Sequence, residues 1–190
     1  MIYGGEGMSK KLILLSGAHG VGKGYWLKQN FENDKNFSVL EASDLIRRYK
    51  EADDAGHKRV KNIAGNQDVL LMALNSERNK TERDIILDGH ICLVNRNGEV
   101  ECIPEEFVCD AGVSGIVLLQ DCAEMIVERQ QQRDKTSMSQ ELIEEIQETE
   151  RAYCNLLNER YRVPYKIITS SCSRENFIQI TEKMRGVINE

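Results

Sequence analysis

The chain has 190 residues, 29% of them charged, with a formal net charge of −6. That length suits one α/β domain with a full core and is short for two. The acidic balance speaks against a general nucleic-acid surface, and no apolar run reaches membrane-spanning length or forms a signal core, so a cytoplasmic protein with no membrane partner is the expectation.

Residues 1–7 read as a loose N-terminal extension, leaving 8–190 as the domain. Leu12-Ile13-Leu14-Leu15 reads as a buried parallel strand. It runs into Ser16-Gly17-Ala18-His19-Gly20-Val21-Gly22-Lys23-Gly24, and a helix pattern with Trp26, Leu27 and Phe31 follows. Strand, glycine loop, lysine and helix form the layout of a phosphate-binding loop. Gly17, Gly20 and Gly22 allow a tight turn with N–H groups aimed at an anion, and the helix start adds its positive dipole end. The spacing Gly17-x-x-x-x-Gly22-Lys23 fits the Walker A pattern except in its last member: Gly24 stands where Ser or Thr offers a hydroxyl to magnesium, and Tyr25 follows. The loop and its neighbours Gly17, His19, Gly20, Val21, Gly22, Lys23, Gly24 and Tyr25 are the expected nucleotide-binding set. A flexible glycine turn beside a surface lysine is the bland alternative.

Asn33 to Asn36 is a turn cluster, Phe37 to Leu40 a second strand, and Ala42 to Tyr49 a helix with Ser43 or Asp44 as its N-cap. A break is expected at Asp53-Asp54-Ala55-Gly56, then an amphipathic helix from Lys61 to Ser76. Two helices between strands are long for a simple crossover, so 42–80 is expected to be an inserted acceptor-binding element. Asp84 to Asp88 is a third strand that ends on an acid. Asn97-Gly98 between extended segments predicts a hairpin, and Glu105 to Cys109 a helical turn. Gly115 to Leu119 is a fourth strand. Helices are expected from Asp121, as cap, to Arg133 and from Glu141 to Arg160, with a short lid at 134–140 between them. A fifth strand at Pro164 to Thr169 and a helix from Glu175 to Ile188 close the chain. The fold class is therefore α/β: a five-stranded, mostly parallel sheet with helices on both faces, a small hairpin and a short lid.

Ligands in such sheets bind at the carboxyl ends of strands, where Gly17, Asp44, Asp88 and His90 fall. Asp88 is placed as a Walker B acid would be, to hold a magnesium-bound water or orient an acceptor; a turn aspartate is the other reading. Arg129 and Arg133 share a helix face, and Arg151 on the next helix could join them around a migrating phosphate. Pairing of the first two with Glu124 and Glu128 on a solvated face competes with that role. Arg47, Arg48 and Arg59 could meet an acceptor phosphate or simply face water. His90 could bind a nucleotide or pack at a strand end. The cysteines, Cys92, Cys102, Cys109, Cys122, Cys154 and Cys172, form no Cys-x-x-Cys pair; scattered thiols predict a reduced compartment rather than a disulfide framework or a zinc site.

Taken together, these residues resemble the archaeal-type adenylate kinase family and its bacterial relatives among the small P-loop kinases. The resemblance rests on Gly17 to Lys23, on Asp88-Gly89-His90 beside that family's Asp-Thr-His, on the hairpin leading to Ile103-Pro104, and on Arg129-Gln-Gln-Gln-Arg133-Asp134 followed by Arg151. It implies a P-loop NTPase fold and reversible transfer of the ATP γ-phosphate to a nucleoside monophosphate or related small acceptor, with Mg2+. It further implies roles at the phosphate for Lys23, Asp88, Arg129, Arg133 and Arg151, and acceptor contacts from Asp44, Arg59, Gln67 and His90. The missing hydroxyl after Lys23 and the arginine-poor segment Lys135 to Ser139 favour an alternative, an ATP-binding regulatory protein or ATPase with weak or no kinase activity.

Overall fold

The computed structural model describes residues 10–54 and 65–184. The helix expected to end near Tyr49 runs on through Asp54, across the first half of the expected break at Asp53-Asp54-Ala55-Gly56. Ala55, Gly56, Arg59, the start of the helix expected from Lys61, the end of the helix expected to reach Ile188 and the extension at 1–7 lie outside the described residues. Five strands form the main sheet: β1 Leu12–Ser16, β2 Phe37–Glu41, β3 Asp84–Asp88, β6 Gly115–Leu119 and β7 Tyr165–Ile168; β4 Cys92–Val94 and β5 Val100–Cys102 form a separate hairpin. The main sheet has the order β2-β3-β1-β6-β7, and each neighbouring pair is parallel. This is the P-loop NTPase-like α/β fold.

The strand order explains the sequence pattern. β1 pairs with β3 on one side and β6 on the other and has helices over both faces, so all five of its residues are buried and the run is continuously apolar. Alternate residues feed opposite layers. Leu12 and Leu14 join Leu45, Leu70, Leu74 and Phe107, whereas Ile13 and Leu15 join Trp26, Phe31, Phe37 and Phe177. In the second layer the ring centroids of Trp26 and Phe31 lie 5.3 and 5.1 Å from that of Phe177, so α1 (Lys23–Phe31) and α7 (Arg174–Lys183) are tied together on one face.

The remaining helices are α2 Ala42–Asp54, α3 Asn66–Arg78, α4 Glu105–Asp110, α5 Ala123–Asp134 and α6 Gln140–Tyr161. Ser139 and Ser173 cap α6 and α7 by accepting from the N–H groups of Leu142 and Asn176. Among the described residues, no helix is long and apolar enough to cross a membrane.

Three local expectations are corrected. Neither Ser43 nor Asp44 caps α2, because the helix starts at Ala42 directly from β2; Ser43 Oγ donates to Glu41 Oε1 (2.6 Å), and Asp44 pairs with Arg47 and Arg48. The cap of α5 is Cys122, not Asp121, whose carboxylate accepts from the Cys122 N–H and pairs with Arg129. The cysteines are not all thiols: Cys92 and Cys102 form a disulfide. They stand opposite each other in the β4–β5 register, with Cα atoms 3.9 Å apart. The turn from Asn95 to Glu99 decides this pairing, and counting residues between cysteines does not reveal it.

Candidate active site

The carboxyl ends of β1, β3 and β2 open into a cavity of about 670 Å³. One side is the glycine loop. Gly17 has φ 153°, and a Cβ there would sit 2.3 Å from the Leu119 carbonyl oxygen, so the loop can pass β6 only as glycine. Gly22, at φ 104°, is the N-cap of α1 and supplies no side-chain cap. The first-turn N–H groups of α1 therefore have no intrahelical acceptor and stand at the cavity wall formed by Gly22, Lys23, Gly24 and Tyr25.

Lys23 lies at the floor and is 7% exposed. Its Nζ donates to the Gly17 carbonyl (3.1 Å), stands 3.8 Å from Asp88 Oδ1 and lies 3.3 Å from His90 Nε2. Burial holds the ammonium below its ordinary pKa, against the pull of the carboxylates of Asp88, Glu150 and Glu41. Burial, together with the neighbouring Lys23 charge, pushes the His90 imidazole down to about 3, so the ring is neutral around pH 7. Asp88 moves the other way. Burial raises its pKa, Lys23 opposes the rise and Glu41 adds to it.

Glu41 is a member of the site that sequence reasoning passed over. It ends β2 in direct register with Asp88 at the end of β3, and both line the cavity. Glu150 is a second. It is fully buried on the inner stripe of α6, accepts from Ser16 Oγ (2.7 Å), and leaves Oε2 without a partner. Ser16 Oγ in turn accepts from the Ile91 N–H (2.9 Å), linking α6 through β1 to the segment that carries His90. Burial pushes the Glu150 carboxyl up to about 7, although the Ser16 hydrogen bond and Lys23 work against that. A signal was available: an acid at 150 interrupts the stripe of Ile143, Ile146, Gln147, Cys154 and Leu157.

Gln130 is a third. Its Nε2 donates to the His19 carbonyl (2.6 Å), and its Oε1 accepts from the Met138 N–H (2.8 Å), so it joins the glycine loop to the 135–139 segment. Only 3% of it is exposed.

The arginines separate. Arg133 lines the cavity and contacts His19 Nε2 at 2.7 Å. Arg129 lies behind the loop, donating to the Val21 carbonyl (3.2 Å) and to Asp121 (2.6 Å), not to Glu124 or Glu128. Arg151 reaches Gln120 and Glu148 and is not at the cavity. The structure thus does not gather the three guanidinium groups around one point. Of the acceptor candidates, Gln67 and His90 line the cavity, Asp44 is turned to Arg47 and Arg48, and Arg59 lies outside the described residues.

The sequence model of the family described as AAA domain matches residues 16–147. No curated protein matches the chain. Among solved structures, the tunicamycin resistance protein of Deinococcus radiodurans is similar at TM-score 0.52 and 13% identity, over 95% of this chain and 96% of that one. A gluconokinase from Sinorhizobium meliloti 1021 aligns at TM-score 0.48 and 15% identity, over 94% of each chain. The first of these likenesses is one of fold.

Proposed function

The chain belongs to the AAA domain family, and from that premise we propose that it is an ATP-dependent phosphotransferase acting on a small-molecule acceptor. The observation that carries the reading is the pairing at the cavity floor: the loop lysine, Lys23, and the strand-end carboxylate, Asp88, lie 3.8 Å apart where phosphates and acceptor would meet. Phosphoryl transfer demands little covalent chemistry from a protein. It demands alignment, and positive charge where the transferring group spreads its own charge over oxygen atoms.

This chain's residues divide those tasks. The N–H groups at the start of α1 and the Lys23 ammonium hold the polyphosphate. Arg133, on the last turn of α5, approaches the same end of the cavity. His90, kept neutral, can hydrogen-bond without adding charge. Asp88 orients the acceptor hydroxyl and takes its proton, a task that its raised proton affinity supports. Arg129 and Gln130 brace the loop from behind through the carbonyls of Val21 and His19.

Magnesium fits the donor set. Glu41 ends β2 at the cavity beside Asp88, and its carboxylate would hold the cation together with phosphate oxygens and water, leaving Asp88 to the acceptor hydroxyl. Magnesium needs only one or two protein carboxylates when phosphate oxygens and water complete its shell. When bound with ATP, it supplies charge neutralisation on the phosphates. Gly24 offers it no hydroxyl.

A nucleoside monophosphate as acceptor, in the manner of an adenylate kinase, is one form of this proposal. The competing reading is an ATP-binding regulatory protein with slow turnover, and Gly24 with Tyr25, 73% exposed at the cavity edge, favours it. Calorimetric titration with ATP and Mg2+, followed by ADP release with an acceptor panel, separates the two. Acceptor-dependent ADP formation that is lost in Lys23→Ala supports transfer. ATP binding with acceptor-independent turnover supports regulation, and no ATP binding refutes both.

A further inference from the structure

Glu150 stands at the root of the glycine loop. It is fully buried on α6, and its Oε1 accepts from Ser16 Oγ (2.7 Å), on the last residue of β1. The same hydroxyl accepts from the Ile91 N–H (2.9 Å), one position beyond His90. A single hydroxyl therefore ties α6 to the strand that launches the loop and to the segment that carries His90. Glu150 Oε2 has no hydrogen-bond partner among the described residues. A buried oxygen in that state is costly to hold as part of a charge and far less so once it carries a proton.

From the loop the carboxyl faces the Gly17 N–H, and from α1 the Lys23 ammonium; both favour its ionised form, as does Ser16. Cys154, one turn further along α6, is a buried thiol whose pKa is pushed up, so it stays neutral. On the hairpin packed against α6, Cys92 and Cys102 are bonded to each other and Glu101 is exposed. β6 presents no titratable side chain, while Tyr165 of β7 donates to Asn155 and Lys166 is exposed. Arg129 of α5 and Arg151 of α6 are turned to Asp121 and Glu148. Among the described residues, Lys23 is thus the charge that acts on Glu150.

We infer that Glu150 is a positioning residue that couples nucleotide binding to protonation: the polyphosphate that docks on the loop draws a proton from solvent onto Glu150 Oε2. This rests on the phosphotransferase reading above. In the empty site the Lys23 ammonium supports the ionised carboxyl. A polyphosphate takes that ammonium as its own partner and brings negative charge to the same loop, and its complex with magnesium is still a net anion. Like charges oppose each other strongly where burial leaves no water to screen them. The carboxyl already titrates at about 7, so a modest further rise carries it across the neutral range. Once protonated on Oε2, it still accepts from Ser16 through Oε1, and the link from α6 to the loop and to Ile91 stays closed. The bound state has the higher proton affinity, so nucleotide binding is tightest below the value of the empty site and weakens as pH rises through it.

The test titrates a non-hydrolysable ATP analogue with Mg2+ into the full chain by calorimetry, from about pH 6 to about pH 8.5. Buffers of different ionisation enthalpy report the protons taken up. Over that range the wild type is expected to lose about 4-fold in affinity relative to Glu150→Gln, and at about pH 7.4 to take up about 0.4 proton more per nucleotide. Groups common to both proteins cancel in the difference. Ser16→Ala removes a donor that favours the ionised carboxyl, so its uptake maximum is expected at higher pH than in the wild type, a check that stands even if Glu150→Gln fails to fold. The same pH dependence in the wild type and Glu150→Gln, or an uptake maximum unmoved in Ser16→Ala, overturns the inference and leaves the phosphotransferase reading standing. An analogue that binds at no pH overturns both.

Discussion

Replacing Glu150 by Gln tests how the protein's core accommodates a carboxyl group beside the phosphate loop. Gln keeps an acceptor oxygen for Ser16 Oγ and fills the same volume, so the packing of α6 on β1 is preserved. What it removes is ionisation. The carboxyl titrates at about 7 in the folded protein against an ordinary value of 4.5, because burial disfavours the charged form. Between those two values the folded state holds a proton that the unfolded chain has released, so stability falls as pH rises through the window and levels off above it. The displacement corresponds to about 3 kcal/mol in total. Urea unfolding of both proteins at about pH 5 and about pH 8 gives the comparison, since groups common to both cancel in the difference. The wild type should lose about 2–3 kcal/mol relative to Glu150→Gln between the two conditions. Parallel stabilities across the window would refute the reasoning. They would mean that the carboxylate is solvated or neutralised in a way that its buried, half-partnered position does not suggest.

Other consequences follow from the same geometry. Asp88→Asn should lower acceptor-dependent turnover by about 10²–10⁴-fold while ATP still binds, the scale of losing a positioned proton acceptor, as checked by steady-state kinetics alongside calorimetry. Gly17→Ala drives a Cβ to within 2.3 Å of the Leu119 carbonyl oxygen, so a loss of about 2 kcal/mol or more is expected, measured as a lower urea midpoint. Under denaturing, non-reducing conditions, thiol titration should find four reactive cysteines, Cys109, Cys122, Cys154 and Cys172, and not six. Reduction should weaken the hairpin by about 3 kcal/mol at most, the loop-closure value for so short a separation, read as faster amide exchange at Leu93 and Val94.

How much was legible in the amino-acid order depends on the range of the interaction involved. The five core strands, the hairpin at Asn97-Gly98 and the glycine loop were readable because each is written in neighbouring residues: an apolar run, a turn dipeptide, a spacing of glycines before a lysine. These features depend on backbone geometry over a few residues, and they place Gly17, Asp88 and His90 at or just after strand ends, and Lys23 at the start of a helix, before any fold is known. The company each side chain keeps is a different matter. Glu41 faces Asp88 because β2 pairs with β3 in a particular register. Glu150 reaches Ser16 across 134 positions of sequence, and Arg129 and Arg133, four apart on one helix, reach different places, one behind the loop and one into the cavity. Cys92 meets Cys102 only because a turn brings two strands into line. Strand order, register and helix rotation are settled by burial summed over the whole chain, so the charge balance of the cavity belongs to the tertiary structure alone.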